Sequence, residues 1–130
     1  MNNLKKTIEN LTAIFTSQLE IYKQLTKLTG SISADIARTK GNLSGLTGKF
    51  EQQNAMLDDI VKLKEQAGGD IEIWLAEKHN ASGEEAKKLD DAIKMVQEEI
   101  MRFLNTEKIL KKQIDFYRLS RDGTKDGNAN

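Results

Sequence analysis

The chain of 130 residues contains no cysteine and no proline, a single histidine and a single tryptophan, and aromatic residues make up only 5% of it. Each shortage excludes something. Without cysteine there is no disulfide framework, no thiolate nucleophile and no zinc finger. Without proline nothing in the sequence forces a helix to stop. The scarcity of aromatics beside 31% charged residues is the balance of helices with thin apolar seams, not of a sandwich or a barrel. Charge of one sign is missing too: twenty basic and twenty acidic residues cancel, so no global field draws the protein onto nucleic acid or anionic lipid. Local basic runs such as Lys5-Lys6 and Lys111-Lys112 have acidic neighbours and read as solvated helix faces. Long apolar runs are absent as well. The opening Met1-Asn2-Asn3-Leu4-Lys5-Lys6 leads into an amphipathic pattern, so neither a signal peptide nor a membrane span is expected and the expected location is cytoplasmic. Sequons at Asn10, Asn42 and Asn80 carry no weight without a secretory signal.

What the sequence does have is an unbroken apolar spacing. Steps of four and three connect Leu4, Ile8, Leu11, Phe15, Tyr22, Leu25, Ile32 and Ile36, then Leu43, Leu46, Phe50, Leu57, Ile60, Ala67, Ile71 and Trp74. After an interruption the count returns as Ala86, Leu89, Ile93, Val96, Ile100, Phe103, Leu110, Ile114 and Tyr117. That alternation is the seam of helices packed lengthwise on one another.

Punctuation places the helices. The first is expected over about 4–40, with Ile14, Ile21 and Leu28 broadening its stripe until it can touch two neighbours. Gly30 costs it about 1 kcal/mol, but Ile32 and Ile36 keep the register and favour continuity. Gly41-Asn42 marks the turn, with Gly41 suited to the left-handed C′ position and Asn42 to capping the second helix. That second helix is expected over about 43–66, ended by Gly68-Gly69, and a short third piece from Asp70 to about 78. Ser82 and Glu85 have the spacing of a capping box, opening a last helix over about 83–118. The fold class is thus all-α: an antiparallel bundle of three long helices plus one short helix over 1–119, with a disordered tail over 120–130 that holds Asp122-Gly123 and Asp126-Gly127.

Catalytic chemistry finds little support. His79 stands at an expected helix end, where a histidine suits the dipole, and has no orienting partner in sequence. Asp58-Asp59, Asp90-Asp91 and Glu98-Glu99 are adjacent pairs, which diverge by about 100° on a helix, and no Glu-x-x-His motif builds a di-metal site. The glycines near Gly41, Gly45 and Gly48 lack the lysine–hydroxyl ending of a phosphate loop. The aromatics lie on the seam rather than on a basic face, so nucleic-acid stacking is unsupported. No enzyme activity, no metal and no cofactor are expected. Glu107 falls on the last helix's seam between Phe103 and Leu110, and either sets register as a paired charge or marks where the seam opens to water.

Off that seam the last helix has a second apolar set: Met95, Met101, Ile109 and Phe116, of which Met95, Ile109 and Phe116 share one heptad position. Two readings compete. The short segment Ile71-Ile73-Trp74-Leu75 or a second copy of the chain covers the set, or it is left for a partner helix, for which methionine's pliability is suited.

The run Leu19-Glu20-Ile21-Tyr22-Lys23-Gln24-Leu25-Thr26-Lys27-Leu28, followed by Ile36, Gly41-Asn42-Leu43 and Leu46, resembles flagellar export chaperones of the FlgN type. Phe50, Leu57, Ile60 and Leu63 continue the spacing, and Leu104-Asn105 with Ile109-Leu110 is similar to the last helix of that family. Asn42 stands where the family usually has an acid, and the connector from Gly68 to Ser82 has no clear counterpart in it. The resemblance implies a cytoplasmic chaperone of type III (flagellar) export. Such a chaperone binds C-terminal helical segments of hook–filament junction proteins through its C-terminal half and prevents their premature assembly. That half coincides with the off-seam set read above, so Met95, Met101, Ile109 and Phe116 are the expected partner-binding residues. A structural coiled-coil protein, self-associating or part of a larger assembly, is the alternative.

Overall fold

The computed structural model describes the backbone of residues 2–129 and the side chains of residues 3–119. All of its regular structure is helical: α1 (Asn2–Thr39), α2 (Thr47–Glu77), a single 3-10 turn (Lys78–Asn80) and α3 (Glu84–Ala129). The expectation of a disordered tail over 120–130 falls outside the residues whose side chains are described.

The heptad spacing does what its period requires. Gln53, Ile60, Ala67 and Trp74 are the buried row of α2, and Leu89, Val96, Phe103 and Leu110 are the matching row of α3. Helix α1 buries two rows, one through Leu11, Leu25 and Ile32 and one through Ile8, Tyr22 and Ile36. It therefore packs against both other helices, as its broad stripe anticipates. The core divides into three successive clusters. Ile8 and Leu11 meet Ala67, Trp74, Ala86 and Leu89; Tyr22 and Leu25 meet Ile60, Val96 and Phe103; Ile32 and Ile36 meet Leu46 and Leu110. This order makes α2 run back along α1 and α3 run parallel to it. Ile14, Ile21 and Leu28 are partly buried, one against each cluster.

Three expected boundaries need correction. Helix α2 does not end at Gly68-Gly69, so the short separate helix from Asp70 does not exist; α2 continues to Glu77. Burial of Ala67 and Trp74 in a cluster with residues of α1 and α3, with Ile71 partly buried against it, outweighs the propensity cost of two glycines, about 1 kcal/mol each. At the first turn the left-handed C′ residue is Lys40, with φ 54°, and Gly41 follows it with φ 90°. Gly41 N–H donates to the Ile36 carbonyl at 3.0 Å, the longer-range bond of a Schellman motif. Asn42 does not cap α2. Its side-chain oxygen accepts from Ser44 N–H at 3.1 Å and tightens the loop instead. Nor does Ser82 form a capping box: among the described residues no hydrogen bond joins it to Glu85. Gly83, with φ 94°, takes the cap position, its carbonyl accepting from Lys87 N–H at 3.2 Å. Glu84 and Glu85 then favour the positive end of the helix dipole.

Gly30, Gly68 and Gly69 lie within helices, and a Cβ added at any of them meets nothing within 4 Å. Gly30→Ala, Gly68→Ala and Gly69→Ala are each expected to stabilise the protein by about 1 kcal/mol. Chemical denaturation followed by circular dichroism measures this. A lowered midpoint in all three would show that glycine is needed there.

Asp35 accepts from Lys49 Nζ and, at 3.4 Å, from Arg38. The Lys49 hydrogen bond, supported by the charges of Lys49 and Arg38, holds the Asp35 carboxyl below its ordinary value of 3.8. A lowered folded-state value gives stability that is present above 3.8 and is lost as pH falls through the folded value. Asp35→Asn is therefore expected to be less stable than the parent near neutral pH, by a small amount because the pair is exposed to solvent and salt. That difference should vanish in acid. A difference that persists at the acid end would trace the effect to packing rather than charge.

Candidate functional site

The outward face of α3 is set by how its inward face is fixed. The row between the apolar positions of α3 is polar and reaches α1. Buried Glu99 lies 3.0 Å from Thr26 Oγ1, and Arg102 donates to its other oxygen at 3.4 Å. Further along the helix, Ser33 Oγ donates to Gln113 Oε1, and Gln113 Nε2 donates back to the Ser33 carbonyl at 3.3 Å. A matching pair joins α1 to α2, where Gln53 Nε2 donates to buried Thr29 Oγ1 at 2.9 Å. Such interhelical bonds fix rotation and register, because a slip leaves a buried polar group unpaired. They determine which α3 residues face outward.

All four residues of the expected partner-binding set are exposed: Met95 48%, Met101 59%, Ile109 56% and Phe116 62%. The structure brings them together unequally. Ile109 and Phe116 stand one heptad apart on the same face, about 10 Å along the axis, and the Phe116 ring leans edge-on against Tyr117 with centroids 5.3 Å apart. Met95 shares their heptad position but lies two heptads before Ile109, with Arg102 between them. Met101 is about 80° around the helix from Ile109. The core of the candidate site is therefore Ile109 and Phe116, with Met95 and Met101 at its edges. Residues 71–75 do not cover it: Trp74 is buried in the first core cluster, on α2. Leu104 and Leu119 on α3, and Val61 and Leu75 on α2, are also exposed and lie outside the set expected from sequence. The signal is present there, since each is an apolar residue off its helix's seam.

Glu107 settles as the open-seam reading. Its side chain is 27% exposed and pairs with Lys111 at 3.3 Å on its own helix. The carboxylate that is buried between helices is Glu99. A shallow groove between α1 and α2, lined by Gln24, Lys27, Leu28 and Met56, lies away from the α3 set. Among the described residues no three His, Asp or Glu side chains converge, and no helix is long and apolar enough to cross a membrane. Comparison with protein-family models, curated proteins and solved structures finds no match.

Proposed function

We propose that this protein is a binding protein rather than an enzyme: a cytoplasmic three-helix bundle that receives an amphipathic helix along the outer stripe of α3. The particular role is that of a type III (flagellar) export chaperone of the FlgN type. Its cargo is the C-terminal helical segment of a hook–filament junction protein, held back from premature assembly. The observation that carries the reading is the exposure of Ile109 and Phe116 on one face of a helix whose opposite face is already filled. A simple packed helix needs one apolar row, and here a second is open. The family role comes from the motif residues around Tyr22, Gly41-Asn42-Leu43 and Leu104-Asn105.

Physically, a cargo helix would lay its apolar residues on Ile109 and Phe116, each contributing roughly 1.5–3 kcal/mol when fully buried. Met95 and Met101 would adapt their rotamers at the margin. Calorimetric titration with junction-protein C-terminal segments is expected to give one-to-one binding with a negative heat-capacity change. Ile109→Asp or Phe116→Asp is expected to abolish that binding and leave far-ultraviolet dichroism unchanged, since both side chains stand in solvent. Unchanged affinity in either folded variant would remove its residue from the site. The second reading, a structural coiled-coil protein that self-associates, is favoured by the exposure of Val61 and Leu75 on α2 as well. Apolar residues on two helices suit a symmetric assembly, and a stable dimer in sedimentation equilibrium would support it.

A further inference from the structure

We propose that the helix received on α3 is acidic: its apolar ridge meets Ile109 and Phe116, and its flanking Asp and Glu side chains meet Arg102, Lys108 and Lys112. This rests on the helix-receptor reading above and names the chemistry of the partner.

The chain is neutral overall, and so is α3 over residues 84–119, yet charge is sorted along that helix: residues 84–99 hold three basic and six acidic side chains. Residues 100–119 hold five basic and two acidic side chains, and residues 21–39 of α1, which lie alongside, hold three basic and one acidic. Helix α2 holds three basic and seven acidic ones. The basic surplus is placed around the apolar pair. Lys112 comes three residues after Ile109 and four before Phe116, so it shares their face. Lys108 lies one turn before Lys112, and Arg102 takes the heptad position between Met95 and Ile109. All three are exposed. Among the described residues, the one ion pair any of them makes is Arg102 with Glu99. Of the two acids in this stretch, Glu107 is engaged by Lys111, and Asp115 stands beside Phe116. A partner with basic flanks would face a surplus of like charge around Ile109 and Phe116, and one with acidic flanks would be steered to that part of the stripe and held in register.

A second copy of the chain is the weaker occupant. Its acidic helix, α2, presents Glu51, Asp58, Glu65 and Glu72 outward at intervals of seven, which matches the charge. Its apolar row of Ile60, Ala67 and Trp74 is buried in its own core. The exposed apolar residues beside those acids, Val61 and Leu75, are fourteen residues apart with Gly68 at the heptad position between them, so they cannot both meet Ile109 and Phe116, which are seven apart. An anionic membrane is weaker still, because the remaining exposed apolar residues of α3, such as Leu104, point to other sides of the helix.

The test uses two synthetic amphipathic helical peptides with the same leucine stripe, one flanked by glutamate and one by lysine, titrated into the full chain. The glutamate peptide is expected to bind about tenfold tighter or better at low salt, with the advantage shrinking as salt rises. The double variant Lys108→Glu, Lys112→Glu should reverse the preference, with its fold checked by circular dichroism and thermal melting. Equal binding of both peptides to the parent protein overturns the acidic partner and leaves the helix receptor standing. Binding of neither, with both peptides helical in solution, overturns the receptor reading itself. A salt-sensitive dimer that the double variant dissolves would seat a second copy's α2 on the stripe and overturn the proposal. Stronger association with phosphatidylserine vesicles than with either peptide would overturn it as well.

Discussion

Leu25→Ala is expected to cost the protein about 3–4 kcal/mol of folding stability, within the range for emptying a well-packed leucine site. Leu25 is 0% exposed and sits in the middle core cluster with Tyr22, Ile60, Val96 and Phe103. It thus belongs to a cluster in which α1 meets both other helices at once. Collapse around the cavity is limited on two sides. Thr26, the next residue, is tied to Glu99, and Thr29, one turn on, is tied to Gln53. A relaxed α1 would strain both bonds, so most of the cavity should persist. Domains of this size have a total stability on the order of 10 kcal/mol, so the loss is a large fraction of it. Urea denaturation, followed by circular dichroism, gives the number. Leu104→Ala, on the exposed side of α3, is the control and should change stability by less than about 0.5 kcal/mol. Similar losses in the two variants would mean that the middle cluster is not where the helices are held.

Much of this architecture is legible in the sequence, for a physical reason. A period of seven on a helix has one structural meaning, and the row through Ile60, Ala67 and Trp74 is buried as its spacing requires. The same holds for Ile14, Ile21 and Leu28, whose width announces that α1 has two neighbours. What is not legible falls into two kinds. The ends of helices are decided by balances of about 1 kcal/mol. At Gly68-Gly69 the propensity of two residues loses to packing that belongs to residues on other helices. At Ser82 the capping pattern is present, but the left-handed Gly83 takes the cap. The second kind is the buried polar set. Gln18, Thr29 and Gln53 stand on seam positions that an apolar count skips, Glu99 stands beside the seam of α3, and the partners of Gln53 and Glu99 lie 24 and 73 residues away. Local pattern cannot pair them. The outer stripe is legible as an absence of burial: apolar residues such as Ile109 and Phe116 that no intramolecular row can use.

Gly41→Ala is expected to cost about 3 kcal/mol, adding the penalty of a left-handed alanine to that of overpacking. Gly41 has φ 90°, and a Cβ there would stand 2.7 Å from Tyr117 Cβ and Cγ. The obstructing atoms include the root of a side chain on α3, not the far end of a flexible one. Relief therefore requires the backbone of α3 to move away from the α1–α2 turn. The neighbour of Tyr117 is Phe116, whose ring packs against it, so the displacement reaches the candidate binding stripe. The variant should lose helix binding as well as stability, in contrast to Phe116→Asp, which should lose binding alone. Pairing it with Tyr117→Gly, which removes the Cβ as well as the ring, separates the two causes. Relative to the sum of the two single losses, the double variant should regain the overpacking part, roughly 1–3 kcal/mol, and keep the backbone part. If instead the two losses simply add, Tyr117 is not what excludes a side chain at position 41, and the coupling of the turn to the stripe fails with it.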